Sequence, residues 1–526
     1  MFWDLVVGNR LARTVADAGL VQYARKRVRT LDSMDVNQIQ EDTLFRLFRT
    51  ARHTQFGIDH QFSHIRTVEE YQKLVPVRTY EDFWKNYWQH HYPNTAGATW
   101  PENPPYYALS SGTTSGATKY IPITKEMLAS NRKTAFTTVS FFRNAFPQKK
   151  LFSGKFFFLA GNTNLRTETN NSRAGDLSAI AAIEVPSLTQ PYTFPPMELS
   201  GIADWTVKVN KLAEAAAKLP ITAISGVPSW ILLLFDRLKQ ITGKNKIADI
   251  WPQLQLIIHG GIKFDPYREL FENEIGPDTE FCEVYPCSEG FVATEDPRYK
   301  KLRIIPDHQI FFEFIPLDQF QDGQLANPFP VRHTLATAEV GVPYAVALTT
   351  CAGLWSYLVG DTIEFESISP PLIRFTGRTK YFLSAFGEHL ISEELEKAVA
   401  SAAHATHSNV FQFHVGPVFP DNPKQPGHHL YLVEFGQLPA SIDEFISLLD
   451  KELCHLNEDY DAHRQNDLSM LPPQILVVKP GAFLRWMLAN GKGSVQHKVP
   501  RMDNSGKQTA SIKNWMLENQ EMISFS

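Results

Sequence analysis

The sequence predicts an α/β protein: a large N-terminal domain of mixed sheets flanked by helices, followed by a smaller α+β C-terminal domain. Three observations predict it. From about residue 105, short runs of β-branched and aromatic residues alternate with amphipathic helical stretches, the pattern of a largely parallel sheet. Around Arg303 to Ile315, and again from Phe329 to Phe365, strand-like runs follow one another without helices, which predicts an antiparallel sub-sheet. Near Gly377 the pattern breaks, and a second set of helices and strands follows, so the expected domains are 1–376 and 377–526.

Taken in order, residues 1 to about 100 read as helical. Leu44, Leu47 and Phe48 have i, i+3, i+4 spacing, and Val68-Glu69-Glu70-Tyr71 opens another periodic stretch. His53, His60 and His64 invite a metal reading, but Gly57 separates the first from the others, and packing or surface histidines are expected. Strands are expected at Tyr106 to Leu109, Lys155 to Leu159, Ile221 to Ile224 and Leu254 to Ile258. Helices are expected between them, at Thr124 to Phe141 with Thr124 as N-cap, and at Trp230 to Ile241. Beyond Gly377 come helices at Ser392 to Ala403 and Ser441 to Leu456, strands at Asn409 to Val415, His429 to Phe435 and Gln474 to Val478, and an exposed loop from Gly416 to Gly427.

Composition narrows the function classes. The 526 residues carry 51 basic and 56 acidic side chains, net −5, which excludes a strongly basic chain as the basis for nucleic-acid binding. Cys282, Cys287, Cys351 and Cys454 form no C-x-x-C pair, so neither a disulfide framework nor a thiolate zinc site is expected. No apolar run approaches the ~18 residues of a membrane span. The arginine-bearing N-terminus lacks a secretory pattern and reads as a docked amphipathic helix. A cytoplasmic protein with reduced thiols is expected. Oligomeric state leaves no mark in the sequence.

Five segments carry candidate chemistry. Ser110-Ser111-Gly112-Thr113-Thr114-Ser115-Gly116-Ala117-Thr118-Lys119 offers hydroxyls, glycines and a lysine between two strands. Glycines let backbone N–H groups converge on an anion, and the hydroxyls and lysine donate to phosphate oxygens. Such runs also occur as plain loops, and neither a Walker A loop nor a G-x-G-x-x-G motif is present. In Tyr285-Pro286-Cys287-Ser288-Glu289-Gly290, the ring suits a base, the hydroxyl a phosphate and the carboxylate Mg²⁺. A core tyrosine beside a capping glutamate would look the same. In Tyr357-Leu358-Val359-Gly360-Asp361, an Asp after a glycine turn suits ribose hydroxyls or simply ends a strand. Gly377-Arg378-Thr379-Lys380 and Gln496-His497-Lys498-Val499-Pro500-Arg501, each taken alone, read as solvated basic loops.

Together, in this order and spacing, these segments resemble the adenylate-forming superfamily of acyl- and aryl-CoA synthetases and luciferases. More narrowly they resemble its Gretchen Hagen 3 branch of acyl-acid amido synthetases. The hydroxyl-rich loop has that branch's extra residue between the threonines and the second glycine. Further likeness lies in Val75-Pro76-Val77 with Tyr80-Glu81, in Gly226-Val227-Pro228-Ser229-Trp230, in Leu449-Asp450 through Asn457, Tyr460 and Arg464, and in Gln496-x-Lys498-x-Pro500-Arg501. The resemblance spans about residues 40 to 510.

The resemblance implies two steps. A carboxylate attacks the α-phosphate of ATP, giving an acyl-adenylate and pyrophosphate; an amine, typically of an amino acid, then displaces AMP. It also implies roles. Ser110, Ser111, Gly112, Thr113, Thr114 and Lys119 would hold the β- and γ-phosphates. Gly260, Gly261 and Ile262 would lie along the adenine, with Tyr285 stacked on it. Ser288 would reach the α-phosphate, Glu289 would bind Mg²⁺, and Asp361 and Arg378 would fix the ribose. Lys380 matches the hinge of a mobile C-terminal cap, and Lys498 would neutralise charge developing during adenylation. Two departures stand out: Leu358 replaces the arginine usual before the Gly-Asp pair, and Cys287 stands where a small or hydroxyl residue is common. The alternatives are an acid–thiol (CoA) ligase of the same superfamily, a serine hydrolase using Ser110 or Ser111, and an inactive nucleotide-binding module. No G-x-S-x-G elbow supports the hydrolase.

Overall fold

The computed structural model describes residues 10–523 apart from 112–117, 162, 170–171, 187–188, 203–204, 262–263, 322–323, 380–381, 384, 387, 389, 420–425, 458–459, 462–463, 465–469 and 491–498. The described residues up to 319 and from 325 to 375 form one compact unit. Those from 376 to 490 and from 499 onward, with 320, 321 and 324, form another. The first is α/β and the second α+β.

The first unit opens with helices α1 (Arg10–Asp32) and α2 (Val36–Ala51). Asp35 caps α2 by accepting from the N–H groups of Asn37 and Gln38, and Leu44, Leu47 and Phe48 are buried as their spacing predicts. Gln40 fastens α2 to the sheet. Its buried amide donates to the carbonyls of Pro306 and Ile310 at 2.7 and 2.9 Å and accepts from Phe312 N–H at 2.9 Å. His60 packs on Phe56 with ring centroids 4.1 Å apart, while His53 and His64 are exposed. Among the described residues no cluster of His, Cys, Asp or Glu is arranged to hold a metal, and no helix is long and apolar enough to cross a membrane.

Strands β1 (Tyr106–Ser111) and β2 (Thr118–Ile123) form a hairpin. With β4 (Arg166–Thr169) and β5 (Ser172–Gly175) they make a sheet ordered β2-β1-β5-β4. Helix α3 (Lys125–Ala145) follows, capped by Thr124 as expected. It runs four residues past the expected end, to where Arg143 Nη1 donates to the carbonyl of Phe146. Its buried hydroxyls at Thr134, Thr138 and Ser140 donate to carbonyls four residues back, so polar side chains enter the interior satisfied.

The largest sheet among the described residues has eleven strands. Its parallel half runs β6 (Thr193–Phe194), β3 (Lys155–Phe158), β7 (Ile221–Gly226), β8 (Leu256–Gly260), β9 (Glu280–Cys287). It then turns antiparallel through β10 (Gly290–Asp296) and β11 (Lys301–Ile304) to β15 (Leu372–Arg378). Next in order come β14 (Tyr357–Ser367), β13 (Pro343–Thr350) and β12 (Ile310–Pro316). Helix α4 (Pro228–Thr242) links β7 to β8, with proline in its first turn and Gly243 at φ +68° closing it.

One buried arginine holds the Val75-Pro76-Val77 segment against this sheet. Arg332 pairs with the fully buried Glu313 at 3.3 Å. It donates to Ser356 Oγ at 2.7 Å, to the carbonyl of Val75 at 3.0 Å and to that of Gln72. Arg78 N–H then bonds the Ser356 carbonyl and Leu358 N–H the Arg78 carbonyl, which lays the start of the Tyr80-Glu81 turn along β14.

In the second unit, helices α5 (Ser392–Ala405) and α6 (Ile442–Leu456) accompany β16 (Asn409–Val418), β17 (His428–Gln437) and β18 (Gln474–Val478). Leu395, Phe413, Val433 and Leu449 share the core. Strand β16 continues through Gly416, so the expected loop starts later. A side chain at Gly416 would meet Thr509 Oγ1 at 2.0 Å, and only glycine lets the strand pass. Asp450 accepts from Tyr460 Oη at 2.7 Å and from Arg464 Nε and Nη2 at 2.9 and 2.7 Å, so the Asp450, Tyr460, Arg464 pattern is a fold-building network.

Candidate active site

Three glycine-bearing motifs end adjacent strands. Strands β7, β8 and β9 run parallel and finish at Gly226, Gly260 and Cys287, so those termini share one edge of the sheet. Carboxyl ends of parallel strands are where α/β sheets bind ligands. Gly260 permits the closest approach: a Cβ there would lie 2.4 Å from the Val284 carbonyl oxygen. Gly261 follows at φ +86°. Ile262 lies outside the described residues.

The β9–β10 turn carries Ser288 and Glu289, and four residues before Glu289 stands Tyr285. On β14 the same spacing recurs, with Tyr357 four residues before Asp361. The two pairs cross. Tyr285 donates its hydroxyl to Asp361 Oδ2 at 2.7 Å, and Tyr357 donates to Glu289 Oε1 at 2.9 Å. All four side chains are buried. Burial, and then the charge of Glu289, push the Tyr357 phenol well above its ordinary range, so it stays a donor. Gly360, at φ +88°, supplies the positive φ of an irregularity inside β14 just ahead of Asp361, so the strand runs on through this position. The Tyr285 ring meets Phe375 edge-on, with centroids 5.7 Å apart.

Cys287 lies close to both acids. Burial, Glu289 and Asp361 together raise its thiol well above the ordinary value, and it donates to the Gly290 carbonyl. It is an inert packing thiol, and all four cysteines are free. Leu358, in the place of the usual arginine, is buried.

The hairpin register sets Ser110 opposite Lys119 and Ser111 opposite Thr118. Gly112, Thr113 and Thr114 lie outside the described residues. Lys119 Nζ sits 5.6 Å from the centre of the Tyr80 ring, whose hydroxyl accepts Tyr120 N–H at 2.9 Å. Phe83, three residues after Tyr80, packs 5.9 Å from the Tyr357 ring, so this segment adjoins the crossed pairs. Arg378 ends β15 half-buried. Lys380 and Lys498 lie outside the described residues. Arg501 is no solvated loop residue: Nη1 donates to the Phe413 carbonyl at 2.9 Å and the guanidinium covers the Phe413 ring at 4.2 Å.

Sequence reasoning assigned no role to Tyr357 or Tyr80. The available signal for Tyr357 was the repeated spacing, a tyrosine four residues before an acid in both segments.

Comparison with known proteins matches three family models: the GH3 family N-terminal domain over residues 27–205, the GH3 family central domain over 303–378 and the GH3 family C-terminal domain over 393–507. An indole-3-acetic acid-amido synthetase, GH3.4 of Arabidopsis thaliana, is 28% identical over 56% of this chain and 51% of its own length. The indole-3-acetic acid-amido synthetase GH3.8 of Oryza sativa subsp. indica is 28% identical over 48% of this chain and 44% of its own. The chain thus spans about half the length of the curated relatives it matches. Among solved structures, the AtGH3.15 acyl acid amido synthetase in complex with 2,4-DB superposes with TM-score 0.78 at 20% identity, covering 95% of this chain and 96% of that one. A 2-hydroxyisobutyryl-CoA ligase in its postadenylation state follows the same fold, with TM-score 0.57 at 14% identity over 91% of each chain.

Proposed function

Because the chain belongs to the GH3 family, we propose that it is an ATP-dependent ligase that activates a carboxylic acid as its acyl-adenylate and conjugates it to an amine, that of an amino acid. The observation that carries this reading is the crossed pair of tyrosine-held carboxylates, Tyr285–Asp361 and Tyr357–Glu289, beside the carboxyl ends of β7, β8 and β9. Each buried carboxylate is hydrogen-bonded by a tyrosine from the other segment. A ribose, with two hydroxyl donors, and a divalent cation are the ligands that suit them.

In this reading Ser110, Ser111, Gly112, Thr113, Thr114 and Lys119 hold the β- and γ-phosphates, and Ser288 reaches the α-phosphate. Gly260, Gly261, Ile262 and Tyr285 take the adenine, while Asp361 and Arg378 take the ribose. Glu289 fits Mg²⁺: a single buried carboxylate, with no further carboxylate or histidine cluster among the described residues, suits an ion that keeps its waters and leans on substrate phosphates. Bound there, Mg²⁺ would offset negative charge on the phosphates. The acid's carboxylate oxygen forms a bond to the α-phosphorus as the bond to pyrophosphate breaks. The amine nitrogen then bonds the acyl carbon, AMP leaves and the amine sheds a proton. Negative charge gathers on the phosphates in the first step, so the cationic side chains of Lys119 and Lys498 would lower that barrier. We assign ATP and acid binding to residues 1–376 and a mobile cap, turning about Lys380, to 377–526. A cytoplasmic setting is part of this reading, four scattered cysteines offering no disulfide framework in the sequence.

The test is pyrophosphate exchange into ATP across a matrix of carboxylic acids and amino acids. Exchange that depends on an acid, with amide formed when an amino acid is added, is expected. A folded protein that neither binds ATP nor exchanges with any acid overturns the reading. Thiol transfer is the second reading, favoured by the fold shared with the CoA ligase; thioester formed in place of amide would select it.

A further inference from the structure

Glu289 sits on a two-residue hairpin tip, where a carboxylate normally turns freely in water. Here it is buried, and one oxygen is held by the hydroxyl of Tyr357 at 2.9 Å. Tyr357 is itself fully buried and rigidly seated. Its ring lies 5.9 Å from that of Phe83, and its backbone pairs with Leu348 across β13–β14. A phenol has one proton to give, and this one is committed to Oε1. The bond anchors Oε1, so that Oε2 is the oxygen we assign to a ligand. The reciprocal bond from Tyr285 to Asp361 orients the other acid in the same way, so each carboxylate is aimed by the tyrosine of the opposite strand.

We propose that Tyr357 is a positioning residue for the cation: through its hydrogen bond it sets Glu289 to receive Mg²⁺ accompanying ATP, while touching neither ligand. The inference rests on the ligase reading above and adds to it a residue that acts only through Glu289.

The test compares thermal stabilisation by ATP alone with that by ATP plus Mg²⁺, a binding readout independent of turnover, in the wild type and in Tyr357→Phe, which keeps the ring. In Tyr357→Phe the shift from ATP alone is retained, and about tenfold more Mg²⁺ is needed for half of the added shift, the scale of one hydrogen bond to a charged group. Glu289→Gln, whose amide oxygen still accepts from Tyr357, loses the Mg²⁺ increment, and adding Tyr357→Phe to it changes nothing further. The inference is overturned if Tyr357→Phe keeps the wild-type Mg²⁺ midpoint, if it loses the ATP-alone shift in proportion, or if the double variant is worse than Glu289→Gln. A wild type that shows no ATP shift overturns the ligase reading itself. A wild type with a normal Mg²⁺ response and an unchanged Tyr357→Phe overturns this inference alone.

Discussion

Tyr285→Phe separates two jobs that one side chain would do for the nucleotide. The ring, edge-on to Phe375, remains in place for the adenine, and only the hydroxyl that donates to Asp361 Oδ2 at 2.7 Å is lost. A hydrogen bond to a charged group contributes about 1.5–3 kcal/mol. Asp361 is only 8% exposed, so water poorly replaces the lost donor. If Asp361 takes the ribose hydroxyls, KM for ATP should rise about 10- to 100-fold, with kcat changed far less. The assay is acid-dependent pyrophosphate exchange as a function of ATP, repeated with 2′-deoxy-ATP. The deoxy substrate already lacks one hydroxyl for Asp361, so the substitution should cost less against it than against ATP. Tyr285→Leu, which also removes the ring, should exceed Tyr285→Phe with both substrates. A Tyr285→Phe enzyme whose KM for ATP stays within about twofold of wild type, at unchanged melting temperature, would refute the ribose role of the pair.

Four further outcomes are expected. Asp307 is clamped bidentately by Arg27 at 2.6 and 2.7 Å and by Lys133 at 2.8 Å; burial alone would raise its carboxyl, but these bonds prevail and hold it at about 2. A depressed carboxyl stabilises above its unfolded pKa and loses that contribution as pH falls toward the folded value. The term is about 2 kcal/mol at pH 7 and about half that at pH 3, so the urea-denaturation deficit of Asp307→Asn should shrink by about 1 kcal/mol between those pH values. A deficit equal at both would contradict the clamp. Gly260→Ala places a methyl 2.4 Å from a backbone oxygen of the next strand and should cost about 1–3 kcal/mol and weaken ATP binding. Gly276→Ala, with nothing within 4 Å, should stay within about 0.5 kcal/mol by the same denaturation measurement. Lys498→Ala should slow pyrophosphate exchange about 10²–10³-fold while sparing transfer from a preformed acyl-adenylate, and equal loss in both steps would contradict its assigned role.

How legible these features were depended on the distance over which each is specified. Leu44, Leu47 and Phe48 declare a helix because their spacing alone fixes a face, and Thr124 declares its cap because the bond it makes is three residues away. The antiparallel part was readable from the loss of intervening helices at Arg303 to Ile315 and from Phe329 to Phe365, although the switch itself comes earlier, at the pairing of β9 with β10. Arg332 and Glu313 were not readable. In sequence both are ordinary surface charges, and only the fold, by closing Val75 and Ser356 around the guanidinium, buries them together. The crossed tyrosines were half legible. The four-residue spacing was visible twice, but which tyrosine serves which acid depends on a contact across 76 residues in one pair and 68 in the other. The hydroxyl-rich loop was legible as a motif, through composition and not through geometry.

The crossed pairs also say something about the sheet itself. In strand order β10, β11 and β15 separate β9 from β14. At about 4.8 Å between neighbours, a flat sheet would hold those strands about 19 Å apart. Yet Tyr285 on β9 reaches Asp361 on β14 at 2.7 Å, and Tyr357 on β14 reaches Glu289 next to β9 at 2.9 Å. The sheet must therefore curl between β9 and β14, with these four side chains inside the bend. The same two hydrogen bonds then close the curl and aim the acids. This accounts for tyrosine at both positions: the donor must span the bend, present one proton and remain uncharged among carboxylates, where a lysine or arginine would neutralise the charge that a ribose or cation is to use. It also separates two failures by measurement. Loss of a tyrosine hydroxyl that only loosened the curl would weaken ATP alone and ATP with Mg²⁺ alike. Loss at Tyr357 that misaimed Glu289 would weaken the Mg²⁺ increment and spare the response to ATP alone.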